Sequence, residues 1–314
     1  VSNVGVSSLG NVDISGNTMP VSGNIVVSSG NIAITSLPEV EIKNDTGNPI
    51  PISANTSVNS STNPIYITGN TNISGGNVNA SLATGIQDAF GRLRVAQPYT
   101  LYDSAFIGSN VGGRFDTVTN GSGSTSYDPY TSTVSMTVGT VSGDQVVRQS
   151  YRTFPYQPGK SLLTMNSFVM SPAKTNLRQR IGLFGVNNGF FLERNGSDVY
   201  FVKRSSVTGS AVDTQVLQSD WNMDTLDGNG PSHLTLDLDK PQIFWTDVEW
   251  LGVGSVRMGF IINGEYIHCH TFHHANIGPL GAYMQTACLP LRMEIENTGT
   301  TGSSSTYKQI CASV

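Results

Sequence analysis

The residues of this chain with the clearest capacity for chemistry lie between positions 218 and 274. In QIFWTDVEW (242–250), strand alternation puts Ile243, Trp245, Asp247 and Glu249 on one side and Phe244, Thr246, Val248 and Trp250 on the other. An indole beside two carboxylates outlines a sugar site, the ring stacking under a pyranose while the acids accept from its hydroxyls. It also outlines a glycosidase pair, because i and i+2 on a strand lie near the spacing such a pair needs. Acid–base work, however, needs two carboxyls in separated environments, and both acids sit mid-strand with Arg257 on the next strand. Salt bridging is therefore the leading expectation for Asp247 and Glu249. Carbohydrate contact by Trp245, Asp247 and Glu249 is the functional alternative, and catalysis is not expected.

Two further clusters could hold a metal. In YIHCHTFHH (266–274), His268 and His270 stand at the i,i+2 spacing that suits two ligands of one ion, and three such pairs about a threefold axis would supply six nitrogens, as in iron-holding fibre tips. Cys269 and Phe272 point instead to a strand with a core face, which makes a hydrogen-bonded histidine cluster the plainer reading. The segment 218–232 gathers Asp220, Asp224 and Asp227 among Gly and Asn, the oxygen-rich make-up of a calcium loop, but its spacing is not that of an EF-hand. Turn formation by Asp and Asn explains it equally well. No nucleophile elbow, phosphate-cradling glycine loop or HExxH is present. Cys269, Cys288 and Cys311 have neither disulfide-framework nor zinc-ribbon spacing and read as small buried thiols in strands.

The elements that must carry these residues follow from composition. The chain has 314 residues, 12% charged, with 34 Gly and a net charge of −5. Neutral polar residues and turn formers in that proportion suit short strands joined by many turns. The acidic balance gives no basic patch for nucleic acid and no attraction to anionic lipid, and no apolar run is long enough to span a membrane. Val1 is neither an initiator Met nor followed by an apolar leader, so it reads as an internal start.

A compositional break falls near residue 87. Before it lies one of the 17 basic residues, Lys43, together with a single Tyr, Tyr66, and no Phe or Trp. Such a stretch cannot offset its chain entropy by burying its own core. Gly-Asn pairs recur through it, several of them seven residues apart, around the short alternating runs VDIS, IVVS, IAIT and IYIT. Glycine at that density opposes a heptad helix, so each unit reads as a strand of about four residues plus a turn. Residues 1–87 are expected to form a fibrous β arm that borrows its core from sister chains, as an intertwined homotrimer; a flexible linker and a single-chain solenoid are the alternatives.

Residues 88–103, DAFGRLRVAQPYTLYD, connect the two halves. Phe90, Arg92 and Arg94 are docking candidates, with the arginines on one strand face reaching carboxylates of a neighbour; the plainer alternative is a first strand with solvated arginines. DAFGRLRV followed by PYTLYDS resembles a phrase shared by virion structural proteins of tailed phages, the marine or cyanophage type in particular. The similarity continues through RIGLFGVNNGFFLERNG (180–196), AVDTQVLQSDWNMDTLDGNGPS (211–232) and DKPQIFWTDVEWLGVGSVRMGFIINGE (239–265). The resemblance implies a virion component with a lectin-like sandwich, assembled in the host cytoplasm and placed on the particle surface among other capsid or tail proteins.

From 104 to 314 the pattern is strand, turn, strand, with apolar alternation in STVSMTV, QVVRQSYRTF, SLLTMNSFVM, RIGLFG, GFFLER, DVYFVKR, HLTLDL and LPLRMEIEN. Only 173–180 is a candidate for a helical turn. About a dozen strands fit an all-β fold, the repetitive arm followed by a concanavalin- or jelly-roll-like antiparallel β-sandwich. The functional expectation is a non-enzymatic trimeric fibre or spike whose sandwich contacts host-surface glycan. A capsid decoration protein and a polysaccharide-cleaving tailspike are the competing classes. Light scattering on the full chain is expected to report three copies; a compact monomer whose residues 1–87 resist proteolysis would contradict the intertwined arm.

Overall fold

The computed structural model describes residues 87–93, 99–109, 114–277 and 281–314. All lie in the second of the chain's two units, Asn77–Val314. The repetitive segment, its trimeric association and Arg94 lie outside the described residues.

The described residues are all-β, two antiparallel sheets packed face to face as a sandwich. Numbered in chain order, one sheet contains β2 (Phe115–Asn120), β5 (Gln145–Pro155), β7 (Leu177–Phe184), β8 (Gly189–Asn195), β9 (Asp198–Ser205), β10 (Val212–Leu217) and β14 (Cys288–Asn297). Its order is β10-β9-β8-β7-β14-β5-β2. The other contains β1 (Asp103–Ala105), β3 (Ser124–Asp128), β4 (Thr133–Val138), β6 (Leu162–Val169), β11 (Gln242–Val248), β12 (Val256–Ile262), β13 (Glu265–Phe272) and β15 (Ser305–Ser313). Its order is β13-β12-β11-β6-β15-β4-β3, with β1 also paired to β15. The one helical piece among the described residues is a 3-10 turn, Gln218–Asp220.

Side-chain alternation builds the sandwich. Strand β6 alternates buried and half-buried along its whole length, LLTMNSFV, so Leu162, Thr164, Asn166 and Phe168 enter the interior. The inner faces meet around Phe201, Phe244, Phe260 and Trp221, with Phe201 stacked on Trp221 at 4.0 Å between centroids. Each such ring, taken fully out of water, contributes about 1.5–3 kcal/mol. Turn chemistry fixes the hairpins. Asn263 and Gly264 both have positive φ and join β12 to β13, which matches the right-handed strand twist. The β8–β9 turn is centred on Gly196 and Ser197, with Asn195 paired to Asp198, one residue later than an Asn195-Gly196 turn would place it.

Three local expectations are corrected. Residues 173–176 are irregular and β7 begins at Leu177, because Leu177, Gln179 and Ile181 are needed on the inner face at period two. HLTLDL forms no strand beyond a single bridge, Asp227 to Thr235. Cys288 is exposed at the start of β14 and Cys311 half-buried; Cys269 alone is a fully buried thiol.

A second, smaller apolar cluster, Phe184, Phe191 and Val202, lies on the outer side of the seven-stranded sheet. Gly182 pairs with Phe191 beneath it, and a Cβ there would stand 2.3 Å from the Phe190 carbonyl oxygen and 2.7 Å from the Phe191 Cα. Gly182→Ala is therefore expected to lower stability by about 1–3 kcal/mol in urea unfolding. Gly302→Ala, with open space at its Cβ, should be nearly neutral.

Candidate functional site

The predicted sugar platform is not a surface. Trp245 is 1% exposed, lies over Gly259 on the paired strand and donates its indole N–H to the Phe260 carbonyl at 3.1 Å. Tyr266 and His268 flank its ring, each at 5.9 Å. Asp247 is equally buried, accepts from Arg257 at 2.8 Å and is hydrogen-bonded by Ser161 Oγ. Glu249 lies beyond the end of β11, its carboxylate accepting from the Ser255 amide at 3.4 Å. The three residues do not form a common face open to a ligand. Asp247 is salt-bridged to Arg257, and among the described residues Glu249 has no salt-bridge partner.

What covers Asp247 is the connecting motif itself. Gln87–Leu93 is a miniature hairpin, bridged between Gln87 and Leu93. The Asp88 carboxylate accepts from the amides of Phe90 and Arg92 and from Arg92 Nε, at 2.8–3.0 Å. Burial opposes the charge of Asp88, but these bonds from Arg92 and Phe90 outweigh it and lower its pKa. Gly91, at φ 75°, closes the turn. The hairpin docks on its own domain: Arg257 donates to Gln87 O at 3.0 Å, Arg92 to Gly159 O at 2.9 Å, and the Ala89 amide to Ser161 Oγ at 3.4 Å. Phe90 carries the Arg92 guanidinium over its ring at 4.7 Å. Phe90 and Arg92, the docking candidates, have the partners given above within this segment and its own domain.

The histidines separate for a backbone reason. Between His268, opposite Gly259, and His270, opposite Met258, Cys269 is inserted as a bulge. The extra residue cancels the i,i+2 rule. His268 packs on the outer side against Trp245 and bonds Thr271 Oγ1 at 2.8 Å, whereas His270 lies inside against Phe201 and Phe272. Burial lowers both imidazoles to a pKa of about 4, with the Arg257 charge adding to the effect on His268. They cannot share one ion in this chain.

The acidic loop is likewise occupied. Asp224, 4% exposed, accepts from the amides of Leu226 and Ser232, and Asp227 from the amide of Asn229 and the hydroxyl of Thr225. Asp220 stands in the 3-10 turn. No group of three or more metal-type side chains gathers among the described residues. Beside the loop, Asn222 pairs with β13 as a strand would, its Oδ1 accepting from the Thr271 amide and its Nδ2 donating to the Thr271 carbonyl, both at 2.9 Å.

The richest polar arrangement lies elsewhere, on the outer face of the seven-stranded sheet. Gln215 Nε2 donates to Glu193 at 2.8 Å, reaching across β9. Arg180 donates to Glu193 at 2.6 Å and to Glu294 at 3.1 Å. Arg292 donates to the other oxygen of Glu294 at 2.6 Å and to Gln149 at 2.7 Å. These six side chains form a ladder running transversely from β10 to β5. Beside it stand Arg178–Glu296 at 2.6 Å and the two-point pair Arg204–Asp213 at 2.7 and 2.8 Å. Four guanidiniums thus meet four carboxylates, and these paired groups balance in charge. Phe184 and Phe191 lie beneath, 4.4 Å apart. Arg180 and Arg204 sit over Phe191 and Arg292 over Phe184, at 5.0–5.8 Å.

No family model and no curated protein matches the chain. Solved structures similar to it include a Bacillus licheniformis β-glucanase, at 11% identity and TM-score 0.45 over 69% of this chain and 98% of that one. A glycosyl hydrolase family 16 protein from Mycobacterium smegmatis has 8% identity and TM-score 0.43 over 68% and 99%. A protein of unknown function from Shewanella oneidensis has 10% and 0.43 over 67% and 84%. These values carry nothing about the chemistry of this chain.

None of the ladder residues was singled out from the sequence, although a signal existed. In LRQRIGLF and LRMEIEN, the charges at Arg178, Arg180, Arg292, Glu294 and Glu296 recur at every second position, separated by apolar residues except at Gln179. Burial opposes ionisation of Glu294, but Arg292 and Arg180 outweigh it and hold the carboxyl below its usual 4.5. A depressed carboxyl contributes stability above its unfolded pKa, and that contribution is lost as pH falls through the folded value. Glu294→Gln is accordingly expected to cost about 3 kcal/mol at pH 7. In urea unfolding across pH, the gap to wild type should narrow below pH 4.5; a constant gap would contradict the charged assignment.

Proposed function

We propose that this chain is a non-catalytic, glycan-contacting structural protein of a virus particle. In this reading residues 1–87 associate three copies and the sandwich displays the ladder face toward the host surface. The single observation that carries the glycan reading is the transverse ladder Gln215–Glu193–Arg180–Glu294–Arg292–Gln149 over the Phe184–Phe191 pair. Its groups are planar, balanced in charge and held in place by one another. The buried centre holds the accessible ends in place, and those ends suit neutral polyols, whose hydroxyls both donate and accept. Gln215 is exposed and Gln149 half-buried at the two ends, while Tyr151, 64% exposed, follows Gln149 in a bulged part of β5.

The ladder also argues against glycan cleavage. A glycosidase needs one carboxylic acid that keeps its proton near neutrality. Glu294 is flanked by two guanidiniums that hold its carboxyl below its usual value, so it is set up to stay ionised. The virion context rests on the DAFGRLRV resemblance and on the coreless repetitive arm.

Individual sites of this kind are weak, and three linked copies supply avidity. The test is binding of purified full-length protein to host-surface polysaccharide, comparing wild type with Gln149→Ala, Gln215→Ala and Tyr151→Ala. The first two lie at the ladder's ends and leave its buried centre intact. Each is expected to weaken binding roughly five- to tenfold per site, the worth of about one hydrogen bond. Unchanged binding in all three would remove the ladder from the recognition surface. Shortened polysaccharide chains would overturn the non-catalytic reading.

A further inference from the structure

Among the described residues, Arg148 is a buried cation with no anion beside it. It lies on β5 and points into the space between the sheets, 4% exposed. Its Nε donates to Gln309 Oε1 at 2.8 Å and its Nη1 to Thr117 Oγ1 at 3.0 Å. The rings of Phe106 and Phe115 lie 5.8 and 5.4 Å from the guanidinium carbon. Among the described residues no carboxylate is within salt-bridge reach. The one acidic group close enough to act on Arg148 is the Tyr102 phenol, itself raised by burial above its ordinary value and so neutral at pH 7. Burial lowers Arg148 to a pKa of about 10, which still leaves it protonated.

Two buried donors in this place have no hydrogen-bond partner: Arg148 Nη2 and Gln309 Nε2. Nη2 shares the guanidinium with Nε, and Nε2 shares the amide with the oxygen that accepts from Nε. The amide cannot be reversed, because Arg148 offers only donors. The two orphan N–H groups thus belong to side chains already in contact, contributed by opposite sheets, with a full positive charge on one of them. A lone acceptor such as water satisfies the geometry but leaves the charge uncompensated, and an uncompensated buried ion costs several kcal/mol. A small anion satisfies both.

We propose that Arg148 and Gln309 form a buried binding site for a small inorganic anion, a halide or compact oxyanion, that bridges the two sheets of the sandwich. The site is independent of the ladder, which lies on the outer face of the same sheet.

The experiment compares melting temperatures of the full-length protein in sodium chloride and in sodium gluconate, whose anion is too large to enter, at constant ionic strength. Wild type should gain roughly 3–6 °C for each tenfold rise in chloride above its dissociation constant. Arg148→Met, of similar length and uncharged, should lose that gain, and Gln309→Leu should reduce it. An equal response in wild type and Arg148→Met would overturn the proposal, as would a wild type indifferent to the anion. Should Arg148→Met fail to fold, chloride-35 NMR on wild type decides: the protein should broaden the line and added bromide should sharpen it again. Absence of displaceable broadening would leave water as the acceptor and overturn the site.

Discussion

The guanidinium of Arg180, held between Glu193 and Glu294, is the interaction on which the seven-stranded sheet depends. It ties β7 to its neighbours β8 and β14, and all three side chains are at least nine-tenths removed from water. Ions in such a setting have lost most of their hydration, so each must be answered by the others. Taking one away strands the remaining two. The guanidiniums of Arg180, Arg204 and Arg292 in turn lie over Phe184 and Phe191, which would otherwise be an exposed apolar patch. A polar layer thus takes the place of a third layer of secondary structure, and the sheet can be finished on both sides without a helix to cover it.

Much of the architecture was legible because it rests on period-two alternation. LLTMNSFV and STVSMTV show their inner and outer faces directly, and the turn residues separate one strand from the next. Failures came where alternation is broken by something the sequence does not mark. The strand holding Trp245 and Asp247 reads as half-exposed, yet Tyr266 and His268 flank Trp245, and residues 87–93, more than 150 positions earlier in the chain, dock on Arg257 and Ser161, the partners of Asp247. His268 and His270 read as neighbours until the inserted Cys269 turns one of them over. Asp224 reads as a cation ligand because composition does not reveal that backbone amides at Leu226 and Ser232 already fill its oxygens.

The ladder was missed for the opposite reason. Its residues obey the alternation rule, and alternating charges on a strand usually mean a solvated face. Nothing local distinguishes Arg180, with its two carboxylates, from an arginine in water. The distinction arises only when β8 and β14 flank β7 in register, which sets Glu193 and Glu294 on either side of one guanidinium. Sequence separation hides this, since Glu294 lies 114 positions beyond Arg180.

The pairing of Asn222 with Thr271 bears on how copies of this protein can meet. Strand β13 ends the eight-stranded sheet, and a bare edge of that kind templates ribbon-like growth from one molecule to the next. Here the Asn222 amide takes both main-chain groups of Thr271, and the amides of Met223 and Asp224 take the carbonyl of Cys269. The loop acts as a dummy strand of side chain and backbone that offers no continuation. Molecules crowded at high local density therefore find that stretch of the edge, Cys269–Thr271, already paired, and cannot add a strand there to fuse into a common sheet.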